Sequence, residues 1–315
     1  MGGRDNLESK KVLICDAIDN EGIDILKQSG IKVDIDSTIS HAKLEKVVSN
    51  YDALVVRSRT KVTREIIEAG TRLKAIGRAG VGLDNIDVNT AKKRGIHVLN
   101  TPEAPAYAVA ELTIGLILSL ARNIPLADKT MKEGKWIKKE LIGWQLRGKT
   151  LGLIGLGNIG KNVARIAKGF GMNILIMKRT PPAMKLQKEL ESEYVSPNNI
   201  STFLQKSDVI TIHIPLTEQT HNMIGKKEIA LMKEGAILIN TSRGGIVDET
   251  ALLEALQSKK LRGAALDVYE VEPPIDLALV RLNNVVCTPH IGGQTTEGRK
   301  AISTILAEKL IKTLK

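Results

Sequence analysis

Aromatic residues, cysteines and long apolar runs are all scarce in this chain of 315 residues. Aromatics make up 3% of it, so its interior has to be filled by Ile, Leu, Val and Ala, a composition typical of parallel sheets covered by helices. The two cysteines, Cys15 and Cys287, are too few for a disulfide framework or a zinc cluster, and the cytoplasm is the expected location. The longest apolar run, residues 109–121, is too short to span a bilayer, and the polar first ten residues predict a frayed leader without a signal-peptide core. We therefore expect neither a metal centre nor a membrane partner.

Basic residues are in excess, with 46 Lys and Arg against 35 Asp and Glu and a formal net charge of +11. They are scattered along the chain without an aromatic RNA-binding motif, so no nucleic-acid partner is expected. The basic excess is expected to reflect either small anionic substrates or a lysine-rich solvated surface. The length suggests about two domains of roughly 150 residues each.

Short β-like runs alternate with helical stretches through most of the chain, a pattern that predicts parallel sheets with right-handed crossovers. The first hundred residues carry predicted strands at 11–17, 31–36, 53–58, 73–77 and 96–100. A second series of six begins at Leu151 and matches a doubly wound dinucleotide-binding sheet. Its predicted strands are 151–155, 173–178, 208–214, 236–241, 263–269 and 284–288.

One long and very apolar helix, residues 104–122, interrupts this rhythm. A helix that is apolar nearly all round has to be buried on several sides, so we expect it at an interface between domains or between the subunits of a homodimer. The last stretch, 297–314, is predicted to be a helix that returns to the first domain. The predicted fold is α/β, with a doubly wound Rossmann domain (residues 103–290) inserted into a flavodoxin-like substrate domain (residues 1–102 and 291–315).

Three glycines form a G-x-G-x-x-G motif between a predicted strand and a predicted helix, in the sequence LGLIGLGNIGKNVARIAK. Gly155 allows the tight turn, Gly157 lets the backbone approach a pyrophosphate, and Gly160 lets helix and strand pack closely. The helix N-terminus then offers N–H groups and the positive end of its dipole to the phosphates. Because strand, helix and second strand follow at the right spacing, the motif predicts a dinucleotide cofactor rather than an ordinary glycine-rich turn.

The second strand of this predicted domain ends at Lys178 and Arg179, where an NAD site usually carries Asp or Glu for the ribose 2′-hydroxyl. Two cations favour the 2′-phosphate of NADP instead, unless both are solvated surface residues. The predicted cofactor is therefore NAD or NADP.

Three polar residues follow three consecutive predicted strands: Arg243 in ILINTSRGGIVDE, Glu272 in GAALDVYEVEPP and His290 in VVCTPHIGGQT. Ligand crevices in these sheets lie beyond the carboxyl ends of the strands, so we expect the three side chains to converge. They supply a cation, an orienting carboxylate and a base, which are the groups that oxidation of a hydroxy acid requires. Glu270 is a rival for the carboxylate, and His213, in the apolar run ITIHIPL, is expected to line the core or the cofactor cleft.

With the glycine motif, the stretches NTSRGGIVDE, ALDVYEVEPP and TPHIGGQT resemble the D-isomer-specific 2-hydroxyacid dehydrogenase family in order and spacing, over nearly the whole chain. The resemblance implies that His290 is the acid/base, Glu272 its partner and Arg243 the substrate clamp. It also implies that Asp267 binds the nicotinamide carboxamide. The other residues that it implies for the cofactor cleft are Val81, Asn158, Ile159, His213, Ile214, Pro215, Thr241, Ser242, Gly292 and Gly293.

Within the family, the first domain is most similar to the 3-phosphoglycerate dehydrogenases of serine biosynthesis, through ALVVRSRTKVT and LKAIGRAGVGLDNIDV. Arg57 and Arg78 come at strand ends, where they suit a phosphate or carboxylate because Arg forms bidentate charge-assisted hydrogen bonds. Surface or interdomain salt bridges are the alternative role for both. The residues expected beside them at the substrate are Ser58, Ala79 and Gly80.

Two departures keep a glyoxylate or hydroxypyruvate reductase open as an alternative. Pro105 stands where many family members carry Asn or another polar residue, and Lys178 replaces the expected Asp. The chain also stops at the predicted final helix, so feedback by serine through a C-terminal regulatory domain is not expected. A non-catalytic, dinucleotide-sensing regulator is the alternative from another class, and the set Arg243, Glu272 and His290 argues against it.

Overall fold

The computed structural model describes residues 10–315, which fold into two compact units. The first unit comprises the chain up to Ala106 together with Gly293–Lys315, and the second is Tyr107–Gly292. The sequence predicted domain boundaries after residues 102 and 290. The boundaries between the two units lie slightly later, after residues 106 and 292. The expected leader lies outside the described residues, apart from Lys10.

The first unit contains a five-stranded parallel sheet in the order β2-β1-β3-β4-β5. Its strands are β1 (Lys11–Ile14), β2 (Lys32–Ile35), β3 (Ala53–Val56), β4 (Ala75–Arg78) and β5 (His97–Leu99). Its helices are α1 (Asn20–Gln28), α2 (His41–Val47), α3 (Arg64–Ala69), α4 (Val88–Lys93) and, from the other end of the chain, α12 (Thr296–Leu314). This strand order is the flavodoxin-like one and confirms the predicted fold class.

The C-terminal helix α12 completes the first unit. Thr295 caps its N-terminus, because its side chain accepts a hydrogen bond from the N–H of Gly298 at 2.9 Å. Its buried face includes Ile302, Leu306 and Leu310, which belong to a core shared with α1 and the first sheet. The helix therefore returns to the first sheet, as the sequence predicted.

The second unit contains a seven-stranded parallel sheet in the order β12-β11-β10-β9-β6-β7-β8. Its strands are β6 (Thr150–Ile154), β7 (Asn173–Met177), β8 (Glu193–Val195), β9 (Val209–Ile212), β10 (Ala236–Asn240), β11 (Leu261–Leu266) and β12 (Val285–Cys287). Its helices are α5 (Ala106–Ala121), whose first residue belongs to the first unit, α6 (Ile124–Lys132), α7 (Asn158–Gly169), α8 (Met184–Leu190), α9 (Ile200–Lys206), α10 (Lys226–Leu231) and α11 (Glu249–Gln257). The central strands β9 and β10 are buried along their whole length, as expected for a parallel sheet with both faces covered. From β8 to β11, the strands follow the 3-2-1-4-5-6 order of doubly wound sheets when they are numbered from β6 as the first. β12 is added as a seventh strand, and this order confirms the Rossmann fold.

The sequence predicted six strands in this sheet and missed β8. This strand has three residues, Glu193–Val195, and pairs with β7 at the edge of the sheet. Short edge strands with a charged residue are common in natural sheets because they discourage pairing with other chains. Such a strand has too few apolar residues to show the pattern by which the other six were recognised.

The long apolar helix α5 is shorter than the predicted 104–122 by two residues at its start and one at its end. Most of it is buried, but Tyr107, Glu111 and Gly115 form an exposed stripe four residues apart. Within residues 10–315, no helix taken singly has both the length and the apolarity needed to cross a bilayer. The pair α5 and α6, bent by 65°, meets that test by length and composition alone.

Candidate active site

The glycine-rich turn lies between β6 and α7, beside the point where the strand order of the second sheet reverses. Gly155 has a φ of 95°, and a Cβ on it would lie 2.5 Å from the carbonyl oxygen of His213. A Cβ on Gly160 would lie 2.5 Å from the carbonyl oxygen of Gly155, so helix and strand pack closely. A Cβ on Gly157 would instead meet no described atom within 4 Å. The first N–H groups of α7, from Asn158 onward, are therefore next to open space that suits a pyrophosphate.

His213, just after β9, contributes to the same site. Its Nε2 is 3.0 Å from Oγ1 of Thr211, while its buried Nδ1 has no hydrogen-bond partner among residues 10–315. Burial lowers the pKa of His213 to about 3, so the imidazole is neutral at physiological pH. Because a buried polar atom without a partner is costly, we expect a ligand atom to satisfy it. Together with the open space beside Gly157, this makes the unit fit a dinucleotide.

The end of β7 presents Lys178 and Arg179. Lys178 is half-buried, and its carbonyl oxygen accepts a hydrogen bond from the hydroxyl of Tyr194 at 3.2 Å. Arg179 is exposed. Both cations thus follow the strand whose end usually carries the ribose-binding acid of an NAD site.

Arg243 is presented by a turn after β10 that the buried Asn240 organises. The Asn240 Oδ1 atom accepts hydrogen bonds from the N–H and the hydroxyl of Ser242, at 3.1 and 3.0 Å. Its Nδ2 donates to the carbonyl of Arg243 at 2.8 Å, and Nη1 of Arg243 donates to the carbonyl of Ser242 at 2.6 Å. Oγ1 of Thr241 is 3.0 Å from Oγ1 of Thr113 on α5. The sequence analysis identified Thr241, Ser242 and Arg243 but missed Asn240, which fixes the shape of their turn.

Glu272 and His290 form a hydrogen-bonded pair. His290 Nδ1 is 2.8 Å from Glu272 Oε2, and Oε1 accepts a hydrogen bond from the N–H of Tyr269 at 3.2 Å. The side chains of His290 and Glu272 are 44% and 38% exposed, so a ligand can reach them. Since Nδ1 is engaged by the carboxylate, Nε2 is the nitrogen available for proton exchange.

The loops that carry Arg243 and Glu272 meet at Gly244. A Cβ there would overlap the carbonyl oxygen of Tyr269, so only glycine permits this approach. The rival carboxylate, Glu270, is exposed, and its N–H donates to Oε1 of Glu249 at 2.7 Å. The structure therefore pairs His290 with Glu272 and not with Glu270.

Asp267, which is 1% exposed, anchors the segment that carries His290. Its Oδ1 accepts hydrogen bonds from Oγ1 of Thr288 at 2.6 Å and from the N–H of Ile291 at 2.8 Å. Its Oδ2 accepts one from the N–H of Gly292 at 2.9 Å. An ionised carboxylate has about four acceptor sites, so one remains for the carboxamide that the family resemblance assigns to Asp267. Its role in holding the His290 segment was not predicted.

In the first unit, the loop after β3 carries Arg57 and Ser58 and is held by two polar side chains. Buried Asp16 accepts hydrogen bonds from the N–H of Arg57 at 2.6 Å and from the hydroxyl of Thr60 at 2.8 Å. Nδ2 of Asn85 donates to the carbonyls of Arg57 and Thr60, at 2.7 and 2.6 Å. Asp16 lies 41 residues from Arg57 in sequence, and motif reading found neither Asp16 nor Asn85.

Arg78 is the last residue of β4, and the loop that follows carries Ala79, Gly80 and Val81. Arg78 folds back over this loop: a Cβ on Gly80 would overlap its Nη1, which donates to the carbonyl of Ala79 at 3.4 Å. Nδ2 of Asn100 donates to the carbonyl of Val81 at 2.6 Å. Because β3 and β4 are neighbours, the two substrate loops lie at the same edge of the first sheet.

The predicted site residues are thus divided between the two units. Arg243, Glu272 and His290 follow the neighbouring strands β10, β11 and β12 of the second unit. Those in the first unit are Arg57, Ser58, Arg78, Ala79, Gly80, Val81 and Gly293. The remaining cofactor residues belong to the second unit, where Ile214 and Pro215 continue the segment of His213. From Lys10 to Lys315, no group of three or more His, Cys, Asp or Glu side chains is placed to hold a metal ion.

Comparison with known proteins identifies relatives over nearly the full chain. A model of the D-isomer specific 2-hydroxyacid dehydrogenase family, NAD binding domain, matches residues 114–292. The chain is 47% identical over 305 residues to a D-3-phosphoglycerate dehydrogenase of Methanocaldococcus jannaschii, covering 97% of this chain and 57% of that protein. It is 48% identical over 310 residues to a hydroxypyruvate reductase of Thermotoga maritima, covering 96% of this chain and 98% of that protein.

Among solved structures, a glyoxylate reductase from Paecilomyes thermophila matches with a TM-score of 0.90 at 32% identity, covering 98% of this chain and 96% of that one. The relatives fall into two groups by the share of their length that this chain covers. The chain spans little more than half of the D-3-phosphoglycerate dehydrogenases that it matches, 57% for those of M. jannaschii and Archaeoglobus fulgidus. It spans nearly all of the two reductases.

Proposed function

The chain belongs to the D-isomer specific 2-hydroxyacid dehydrogenase family, and we propose on that premise that it transfers a hydride between a nicotinamide dinucleotide and a small D-2-hydroxy acid. The matched NAD binding domain makes the second unit the site of the nicotinamide dinucleotide. The observation that carries the proposal is the His290–Glu272 hydrogen bond of 2.8 Å, beside the loop that presents Arg243. We propose D-3-phosphoglycerate, or phosphohydroxypyruvate in the reverse direction, as the first substrate, in a step of serine biosynthesis.

Arg243, His290 and Glu272 each have a role in the reductive direction. A nicotinamide dinucleotide bound in the second unit would supply the hydride for C2 of the keto acid. Arg243 holds the substrate carboxylate and polarises the carbonyl, whose oxygen gains negative charge in the transition state. His290 donates the proton from Nε2 to that oxygen, and Glu272 orients the ring and stabilises its protonated form. In oxidation, His290 takes the proton back from the hydroxyl group.

The second candidate is a hydroxypyruvate or glyoxylate reductase. The observation that favours it is length, because the chain covers 98% of the T. maritima hydroxypyruvate reductase. A dinucleotide-sensing regulator without catalysis is the candidate from another class, and it has no need of the His290–Glu272 pair.

Initial rates of reduction test the proposal. Phosphohydroxypyruvate, hydroxypyruvate and glyoxylate are each paired with NADH and NADPH, and the loss of nicotinamide absorbance is followed. The highest kcat/KM for phosphohydroxypyruvate supports the serine-pathway assignment. A highest value for either of the other two acids supports the reductase, and no turnover with any of them supports the regulator.

For the cofactor, we propose that Lys178 and Arg179 bind the 2′-phosphate of NADP. Replacing Lys178 by Asp then lowers the ratio of kcat/KM for NADPH over NADH by about 10- to 100-fold, because a charge-assisted hydrogen bond is lost and a repulsive charge is gained. Lys227→Asp, an exposed position in the same unit, is the control and leaves the ratio unchanged. An unchanged ratio in Lys178→Asp would mean that the two cations are only solvated.

We also propose that the protein is a homodimer. A single stretch of the chain exposes five large apolar side chains: Tyr107, Ile124, Met131, Trp136 and Ile142. Concentrated exposed apolar surface marks protein–protein contacts. Light scattering at micromolar concentration is expected to give twice the chain mass, and Ile142→Asp to give the monomer mass.

Ile275→Asp is the matched control for the dimer, because Ile142 and Ile275 are both 85% exposed and Ile275 lies outside this stretch. We expect this variant to remain dimeric. A monomer for the unaltered protein refutes the proposal, as does a dimer that Ile142→Asp leaves intact.

For the compartment, we propose the cytoplasm. Both cysteines are unpaired, and Cys15 is fully buried, which raises the pKa of its thiol to about 12. A thiol kept protonated and shielded reacts slowly. Fractionation of cells that express the chain, with detection in the soluble cytosolic fraction, is the expected result.

A further inference from the structure

A small depression in the first unit has two arginines in its wall. It is shallow and open to solvent, and the empty space of about 190 Å³ within it includes part of that solvent. Its lining residues are Ile18, Asp19, Arg57, Ala79, Arg299, Ile302 and Ser303. Ala79 is one of the residues expected at the substrate, so the depression adjoins the predicted substrate site.

The two arginines bring like charges together, and the Asp16 carboxylate offsets that repulsion only in part. Burial lowers the pKa of the Arg57 guanidinium, and the positive charge of Arg299 lowers it further, while the charge of Asp16 acts in the opposite direction. Within residues 10–315, neither guanidinium has a carboxylate within ion-pair distance: Asp16 pairs with Arg59 instead, at 2.9 Å. The Asp19 carboxylate is used at the N-terminus of α1, where it accepts a hydrogen bond from the N–H of Glu21 at 3.1 Å.

The backbone on both sides of the depression is held firmly. Asp16 and Asn85 fix the loop of Arg57, as described above. Arg299 lies in the first turn of α12, where its N–H donates to the carbonyl of Thr295 at 2.9 Å. Two cations that face one depression from rigid supports form a preorganised site for an anion, because the cost of bringing them together is met during folding.

We propose that Arg57 and Arg299 together bind the distal anionic group of the substrate, and that Arg299 selects a phosphorylated 2-keto acid over an unphosphorylated one. This inference rests on the proposed function for the identity of the substrate. The sequence suggested Arg78 as the partner of Arg57, and the proposal replaces it with Arg299. Arg78 instead lies over the loop that follows it, against Gly80. A guanidinium pair suits a phosphate, which can take two bidentate contacts and carries close to two negative charges.

Replacing Arg299 by Gln tests the selectivity. We expect kcat/KM for phosphohydroxypyruvate to fall by about 10- to 100-fold, the loss typical of a hydrogen bond to a charged group, while kcat/KM for hydroxypyruvate changes by about two-fold or less. Lys300→Gln is the matched control, because Lys300 is the next residue on α12 and pairs with Glu21 at 2.7 Å outside the depression. It is expected to leave both substrates unaffected. Equal losses for the two keto acids in Arg299→Gln would overturn the inference.

Inorganic phosphate supplies a readout that needs no turnover. Phosphate is expected to raise the melting temperature of the unaltered protein and of Lys300→Gln more than that of Arg299→Gln, because binding to the folded state alone is stabilising. The general stabilising effect of phosphate salts is common to all three proteins and cancels in the comparison. Equal shifts in all three would overturn the anion site even if phosphohydroxypyruvate is the substrate. Unequal shifts without turnover would support the site and reject the proposed function.

Discussion

Replacing His290 by Asn is expected to lower kcat for keto-acid reduction by about 10²- to 10⁴-fold, the range that general acid catalysis contributes. The Nε2 proton that neutralises the developing alkoxide is lost, while the Glu272 carboxylate stays in place. Asn is a better replacement for His290 than Gln, because His290 has a φ of 52° and Asn tolerates this left-handed conformation better than most residues. The variant should therefore keep its fold and its affinity for the cofactor.

The measurement is kcat and KM for the best keto acid, with cofactor affinity followed by nicotinamide fluorescence. His41→Asn is the control, because His41 is an exposed residue in the first turn of α2. If His290→Asn turns over at the rate of the unaltered protein, the proton comes from elsewhere. The assignment of His290 and Glu272 as the catalytic pair then fails.

Replacing Asp267 by Ala is expected to lower the free energy of unfolding by about 3–5 kcal/mol and to reduce kcat/KM as well. The carboxylate is buried and accepts hydrogen bonds from Thr288, Ile291 and Gly292, so its removal leaves three donors without an acceptor. The Gly292 bond is buried and the other two are partly buried, and a buried donor left unsatisfied costs about 1–3 kcal/mol. These donors flank His290, so the loss should also displace the imidazole from its position opposite Glu272.

Urea unfolding and steady-state kinetics measure the two effects of the Asp267 substitution. Asp276→Ala is the control, because Asp276 is an exposed aspartate of the same unit that accepts one backbone hydrogen bond, from Ala278 at 2.8 Å. It should cost less than about 1 kcal/mol, the net value of one hydrogen bond. A similar small cost for Asp267→Ala would show that Asp267 does not hold the His290 segment.

Much of the fold could be predicted from local patterns. The glycine motif, the apolar strands and the helix periodicity act over short stretches of chain, and they located the flavodoxin-like sheet and six of the seven strands of the Rossmann sheet. The strand missed, Glu193–Val195, has one charged residue among three. Its place in the sheet depends on pairing with β7 rather than on its own pattern.

The part of the candidate site that lies just after the carboxyl ends of strands could be predicted from the sequence, because ligand crevices in these sheets lie there. Arg243, Glu272 and His290 all stand there, and the structure pairs the last two. The residues that hold them in position could not be found in this way. Asn240, Asp16 and Asn85 are common polar residues whose partners are set by the folded loops, so neither spacing nor residue type marked them.

The pairing of arginines shows the same limit. Arg57 and Arg78 both lie at the ends of neighbouring strands, which made them the natural pair. Arg299 is 242 residues from Arg57 and lies on a helix, so only the return of α12 to the first sheet brings it to the depression beside Arg57. Contacts of this kind arise from topology and are not encoded in any local motif.

The configuration of the product tests the central proposal most directly. The protein is incubated with reduced nicotinamide cofactor and with phosphohydroxypyruvate, hydroxypyruvate or glyoxylate in turn, and any chiral product is assigned by chromatography on a chiral phase. A D-2-hydroxy acid, formed in step with oxidation of the nicotinamide, is the predicted result. An L-product, or a folded protein that oxidises no nicotinamide with any of the three acids, would contradict it.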